Sequence, residues 1–222
     1  RECCQEFHKK FKSQVNKQMN IVIKNVTDYG DDATAEYIFA QLLNLLRGLS
    51  KYTWRDKPSE LCSKTIGIIG LGATGQKVAS IALGFKMNVF YYSRTRKKNW
   101  EEKGVQYLPI NDLFKKSNII SIHVPRNTKI IGKDELEKIG NGKILVDTCL
   151  GNIYKDIYAV KLWLKNKDNF FIRDYHPEIK EKLGDLDRLI YTENMIAGMT
   201  VESRNLLSAK VIDNIEFYLK NN

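Results

Sequence analysis

Residues 66–75 read Ile-Gly-Ile-Ile-Gly-Leu-Gly-Ala-Thr-Gly, an apolar run that breaks into Gly70-x-Gly72-x-x-Gly75. A buried strand that turns within a few residues into a helix needs glycine at its tightest points. Gly70 allows the turn, Gly72 lets backbone N–H groups approach a pyrophosphate, and Gly75 lets the helix pack close to the strand. The helix that follows points the positive end of its dipole at the same spot. The surrounding sequence supplies the context the motif requires: a helical stretch from Gln76 to Leu83 and a second apolar strand from Met87 to Tyr92. The segment reads as a dinucleotide-binding βαβ unit, with Gly70, Gly72, Ala73, Thr74 and Gly75 around the phosphates.

The rest of the chain repeats that alternation. Strands are expected at 65–70, 87–92, 118–124, 143–147 and 169–173, with a shorter one near 188–192. Helices at 74–84, 110–116, 133–139 and 154–166 separate them. The pattern predicts an α/β fold, a Rossmann-type doubly wound parallel sheet. Ahead of it lie a polar, lysine-rich stretch over 1–20, helical in part, and a short strand over 21–26. The turn Tyr29-Gly30-Asp31-Asp32 then starts a long amphipathic helix over 33–49. Residues 54–63, with Pro58, form a linker, and a final amphipathic helix runs over 201–219.

Composition narrows the class. With 43% hydrophobic and 28% charged residues in 222, the chain can bury a substantial core. No apolar stretch approaches the length of a membrane span, and no signal-peptide pattern opens the chain. Cys3, Cys4, Cys62 and Cys149 have neither metal-ligand spacing nor a disulfide framework, which points to a reduced, cytoplasmic compartment and to no bound metal. The net charge of +10 comes mostly from lysines scattered over helix faces, without interleaved aromatics, so a solvated surface is a better reading than nucleic-acid binding.

One basic cluster is different. The second strand ends Tyr92-Ser93-Arg94-Thr95-Arg96-Lys97-Lys98, where NAD-specific folds place an acid against the ribose hydroxyls. A hydroxyl followed by cations suits a 2′-phosphate, which a carboxylate would repel. Ser93, Arg94, Thr95 and Arg96 are therefore candidate cofactor contacts, and NADP is favoured over NAD.

Several stretches resemble the D-isomer-specific 2-hydroxyacid dehydrogenases, most of all their glyoxylate and hydroxypyruvate reductase branch. They are 60–72 with the glycine turn, the Tyr-Tyr-Ser-Arg-Thr-Arg-Lys segment, Ser121-Ile122-His123-Val124-Pro125, Asn25-Val26-x-x-Tyr29-Gly30, Ala33-Thr34-Ala35-Glu36 and Ile196-Ala197-Gly198-Met199-Thr200. The likeness runs in order over roughly residues 20 to 220. It implies that residues 1–27 are the remnant or end of a substrate domain, 28–200 the NAD(P)-binding domain with its hinge helix, and 201–222 a C-terminal helix. It also implies that Val124 and Pro125 close over the adenosine, that Thr148, Cys149 and Ala197 adjoin the cofactor, and that Asp174 sits beside the nicotinamide amide. The chain opens on Arg1, which reads as a fragment or a processed form.

The family reduces 2-oxo acids with an arginine that grips the carboxylate, a histidine that gives the proton and a glutamate that holds the histidine. In the matching Asn-x-x-Arg-Gly segment this chain has Asp147-Thr148-Cys149-Leu150-Gly151, with Leu150 at the arginine position. In the matching Pro-His-Ile-Ala-Gly segment it has Asn194-Met195-Ile196-Ala197-Gly198, with Met195 at the histidine position. Leucine carries no charge and methionine no titratable proton. The segment Asp174-Tyr175-His176-Pro177-Glu178 resembles the family's aspartate-led stretch, with Glu178 about one place early.

His176 is a candidate displaced acid, with a surface-loop histidine as the alternative; His8 and His123 are the other two, and His123 matches a structural position. Cys149 reads as a reactive thiol or as a small buried hydrophobe, and Arg126 is expected toward the adenosine end. Two functions follow: an oxidoreductase acting on small 2-hydroxy or 2-oxo acids, or a nicotinamide-dinucleotide-binding module that has lost that chemistry. Ala35, Ile38, Phe39, Leu42, Leu43, Leu45 and Leu46 make helix 33–49 broadly apolar, which with the resemblance predicts a homodimer.

Overall fold

A computed structural model describes residues 23–221 of the 222-residue chain. Strands β1 (Thr65–Ile69), β2 (Asn88–Tyr92), β3 (Gln106–Tyr107), β4 (Ile119–Ile122), β5 (Ile144–Asp147), β6 (Phe170–Arg173) and β7 (Leu189–Tyr191) form one sheet in the order β3-β2-β1-β4-β5-β6-β7. Every neighbouring pair is parallel. Strand order reverses between β1 and β4, and a crevice opens there beyond the carboxyl ends of the strands.

Helices cover both faces because alternate strand residues point opposite ways. Ile66, Ile68, Ile144, Val146, Phe170 and Ile172 pack on one side with α1 (Asp31–Arg47) and α2 (Ala73–Gly84). Ile120, Ile122, Leu145 and Phe171 pack on the other with α4 (Ile110–Lys116), α5 (Lys133–Ile139), α6 (Tyr158–Trp163) and α7 (Pro177–Leu183). Between β2 and β3 lies α3 (Lys98–Glu101), and α8 (Val201–Asn221) ends the described chain. No described helix is long and apolar enough to cross a membrane.

The expected strands and helices recur within one to three residues, except the strand over 21–26 and the helix over 154–166. Residues 1–20, with Cys3, Cys4 and His8, and the first two of the expected strand 21–26 lie outside the described residues; residues 23–27 form no strand. The helix expected over 154–166 is only α6, because residues 153–155 hydrogen-bond to Ile130 and Ile131 as an extended segment. The short β3 and α3, the helical turn Trp54–Asp56 and α7 were not foreseen.

Helix α1 corrects the argument for a dimer. Six of its seven apolar residues, all but Leu43, are buried within the chain itself, and Phe39 stacks on Phe85 with ring centroids 5.5 Å apart. Its apolar surface therefore does not call for a second copy.

The start of α1 also ties the fold together. Asp31 accepts a hydrogen bond from Thr74 in the first turn of α2, and Asp32 pairs with Lys77 at 2.8 Å. Just before α1, Gly30 lies against Gly198, so that a Cβ added at Gly30 would sit 3.0 Å from the Gly198 carbonyl oxygen.

The glycine turn is set by close approach. Gly70 has φ 96°, and a Cβ there would lie 2.2 Å from the His123 carbonyl oxygen. A Cβ on Gly75 would lie 2.1 Å from the carbonyl oxygen of Gly70. Gly70→Ala meets both a left-handed backbone and a backbone clash, and is expected to cost about 2 kcal/mol or more, a fall of roughly 4–8 °C in Tm for a domain of this size. A thermal scan within a degree of the parent's would contradict this account of the turn.

Candidate functional site

A cleft of about 920 Å³ lies along the carboxyl edge of β1, β2, β4 and β5. Its floor is the glycine turn. The helical hydrogen bonds of α2 begin with Gln76 N donating to Gly72 O at 2.9 Å, so the amides of Ala73, Thr74 and Gly75 precede the ladder at the positive end of the helix. No acidic residue occupies that first turn. A Cβ on Gly72 would meet nothing within 4 Å, leaving open space where a phosphate must approach. The residues present therefore fit a dinucleotide.

At the β2 end, Ser93, Arg94, Thr95 and Lys97 line the cleft and no carboxylate stands among them. Ser93 Oγ donates to the Thr95 carbonyl and holds the turn. Arg96 is placed differently from the expectation. Its guanidinium pairs with Glu101 and lies 5.1 Å from the Tyr107 ring, outside the cleft lining. Lys97 lines the cleft in its place. Val124, Pro125, Thr148, Cys149, Asp174 and Ala197 all border the cleft, as does His123.

His123 is a structural group. Its Nε2 lies 2.8 Å from Ser121 Oγ, and burial pushes its pKa down to about 4. Cys149 is likewise inert: Sγ donates to the Ile122 carbonyl at 3.3 Å, and burial, reinforced by the Asp147 charge, raises its pKa well above that of an ordinary thiol. Half-buried in the cleft wall, it fits the unreactive one of its two sequence readings better than the reactive thiol.

The far end of the cleft rests on an ion pair that the sequence reading missed. Arg173, 1% exposed, pairs with the fully buried Asp147, which also accepts from Tyr154 Oη at 2.7 Å and Cys149 N at 2.8 Å. The same guanidinium donates to the carbonyls of Cys149 and Gly151 at 3.1 and 3.5 Å, so it holds the backbone of the 148–151 loop from beneath. A basic residue closing the apolar run Phe170-Phe171-Ile172 was the available signal, since a charge there must find a buried partner.

Beyond that loop a smaller pocket of about 150 Å³ adjoins the cleft, bordered by Arg126, Leu150, His176, Pro177 and Met195 among others. Leu150 and Met195 are 49% and 45% exposed and face both cavities. Arg126, expected toward the adenosine end, borders both this pocket and the cleft. His176 is there too, with Nδ1 buried and without a hydrogen-bond partner. Burial, then the charge of Arg173, holds its pKa below the usual imidazole value. Glu178 is an exposed residue of α7 bound to Lys182 at 2.7 Å, and its charge also acts on His176. Asp174 is fully engaged: Oδ1 accepts from Thr192 and the Ile196 amide, and Oδ2 from the Ala197 amide.

The sheet, the glycine turn and the cleft above them define a dinucleotide-binding Rossmann domain. Residues 39–197 match the model of the D-isomer specific 2-hydroxyacid dehydrogenase NAD binding domain. A glyoxylate reductase of Pyrococcus furiosus is 30% identical over 220 residues, which cover 88% of this chain and 65% of that enzyme. The Aquifex aeolicus D-lactate dehydrogenase complexed with NAD and lactic acid superposes with TM-score 0.81 at 22% identity, over 96% of this chain and 72% of that one. An acyclic imino acid reductase in complex with NADPH and D-Arg does so with TM-score 0.76 at 30% identity, over 93% and 72%. The chain belongs to the D-isomer-specific 2-hydroxyacid dehydrogenase family, and what it contains is mainly that family's NAD-binding domain.

Two stability tests follow from the site. Arg173→Met leaves the Asp147 carboxylate buried without its cation and is expected to cost about 3–5 kcal/mol in urea unfolding, while adding Asp147→Asn recovers at least half. For His123 the folded pKa is depressed, so its contribution is full above pH 6.5 and is lost as pH falls from 6.5 toward 4. Between pH 7 and 5 the parent should lose about 2 kcal/mol more than His123→Gln; equal losses would show that this imidazole carries no such linkage.

Proposed function

We propose that this chain binds a nicotinamide dinucleotide, NADP in preference to NAD, as the nucleotide-binding part of an oxidoreductase acting on the CH–OH group of small 2-hydroxy acids or on their 2-oxo counterparts. The observation that carries the reading is the pairing of the open helix N-terminus over the glycine turn, where a Cβ on Gly72 would meet nothing, with Arg94 and Lys97 at the β2 end. Gly72 and the amides of Ala73, Thr74 and Gly75 would take the pyrophosphate, and the two cations the 2′-phosphate. The NADPH-bound imino acid reductase at 30% identity supports the phosphate preference, and the NAD-bound D-lactate dehydrogenase supports the cofactor class alone.

A nicotinamide held there would supply hydride chemistry, and reduction of a carbonyl would also need a proton donor for its oxygen. Leu150 and Met195 can neither orient a carboxylate nor deliver that proton. This favours a second reading, in which the chain keeps nucleotide binding and has left the reaction. Steady-state oxidation of NADPH by glyoxylate, with Gly72→Asp as the blank, separates the two: turnover above the blank supports the enzyme, and none supports the binding module.

Nucleotide fluorescence gives the direct test. NADPH is expected to bind saturably and more tightly than NADH. Arg94→Ala with Lys97→Ala should weaken NADPH by about tenfold or more and leave NADH nearly unchanged. Equal affinity for the two would overturn the NADP assignment, and binding of neither would overturn the reading as a whole.

A further inference from the structure

The corner after β2 that presents Arg94 and Lys97 to the cleft is open to water, with Arg94, Thr95 and Arg96 exposed. Two long cations on an exposed turn keep a common aim only if the backbone beneath them is fixed. Within the turn, Ser93 Oγ donates to the Thr95 carbonyl. The firmer hold comes from the strand before it.

Tyr91 is fully buried and shares its core with Trp100 and Val105. Its Oη accepts from the Lys97 amide at 2.7 Å and donates to Glu101 Oε1 at 2.6 Å. The Lys97 carbonyl is held as well, accepting from the amides of Trp100 and Glu101 at 2.8 and 3.1 Å where α3 begins. Lys97 is thus fixed at both its amide and its carbonyl, while its side chain lines the cleft. Glu101 also takes the Arg96 guanidinium, which lies 5.1 Å from the Tyr107 ring. Tyr107 packs edge-on against Tyr91 with ring centroids 5.4 Å apart, so the network closes on itself. Arg96, drawn off the cleft, neutralises there a carboxylate that would otherwise stand near a phosphate site. Tyr91 is not part of the cleft lining. Phenylalanine would fill the same volume, so what the hydroxyl adds is the pair of hydrogen bonds that join Lys97 to α3.

We propose that the Tyr91 hydroxyl is a positioning group for nucleotide selection: by pinning the Lys97 backbone it holds Arg94 and Lys97 in the arrangement that receives a 2′-phosphate, without touching the nucleotide. This role rests on the corner being where that phosphate binds. A ligand that needs a fixed corner loses affinity in proportion to the time the corner spends elsewhere. The loss falls on NADPH alone, because NADH carries no group there for the two cations to meet.

The test is Tyr91→Phe in the whole chain, with NADPH and NADH binding followed by nucleotide fluorescence and hydrogen exchange followed over residues 93–98. NADPH affinity is expected to fall about fivefold, as for one lost hydrogen bond, with NADH within about twofold of the parent. The Lys97 amide should exchange at least about tenfold faster. In the Arg94→Ala, Lys97→Ala background, Tyr91→Phe should change NADPH binding by less than about twofold, because its effect passes through those two side chains. Unfolding curves confirm that each variant is folded. Unchanged NADPH affinity, equal losses for NADPH and NADH, or a loss that adds in full to that of the Arg94 and Lys97 substitutions would each overturn the role. A parent that prefers NADPH beside a Tyr91→Phe variant that prefers it equally defeats this inference alone. A parent that binds the two nucleotides equally defeats the NADP assignment; exchange then decides the rest, since a faster Lys97 amide in Tyr91→Phe keeps the hydroxyl as the pin and an unchanged one removes it.

Discussion

The loop after β5 rests on the pairing of Asp147 with Arg173 at the carboxyl ends of adjacent strands. Taking two charges out of water is costly, and their attraction repays it only when the remaining lone pairs and protons are used. Here most are used. Asp147 also accepts from Tyr154 and from the Cys149 amide, while Arg173 spends its other donors on loop carbonyls. Only its Nε remains buried without a partner. The pair thereby turns two strand ends into a rigid seat for residues 148–151, which border both cavities.

The two ends of the cleft have opposite chemistry, and the sheet explains why. Strand order reverses between β1 and β4, so the glycine turn and the segment after β4 rise on either side of one crevice. Toward β2 the polypeptide offers cations and helix amides to phosphate. Toward β5 and β6 it offers apolar side chains above a neutralised ionic floor, with a single arginine and a histidine at the margin. A nucleotide spanning the crevice would be anchored electrostatically at one end and placed by shape at the other.

Much of this was legible in the sequence because the signals were local. The run Ile66–Ile69 before Gly70 fixed a strand, a turn and a helix at once, and later strands repeated its apolar pattern. Helices 110–116 and 133–139 match to the residue. What escaped depended on distant partners. Arg96 was grouped with Arg94 by position, but Glu101 one turn later draws it away from the cleft. Arg126 follows β4, and its stem crosses Gly151 on a neighbouring loop so that it borders both cavities. The apolar breadth of α1 suggested a partner chain; α2 and the sheet supply the cover instead. Arg173 looked like the end of a strand because its counter-charge lies 26 residues away on the next one.

The meeting of Gly30 and Gly198 has a topological consequence. The chain passes into the sheet at one and out of it toward α8 at the other, and the two backbones touch at the rim of the cleft. Residues 31–197 are therefore a loop closed in space, a cassette whose two ends share one doorway. Such an arrangement lets a complete domain be carried on a host protein with almost no separation between the points of attachment.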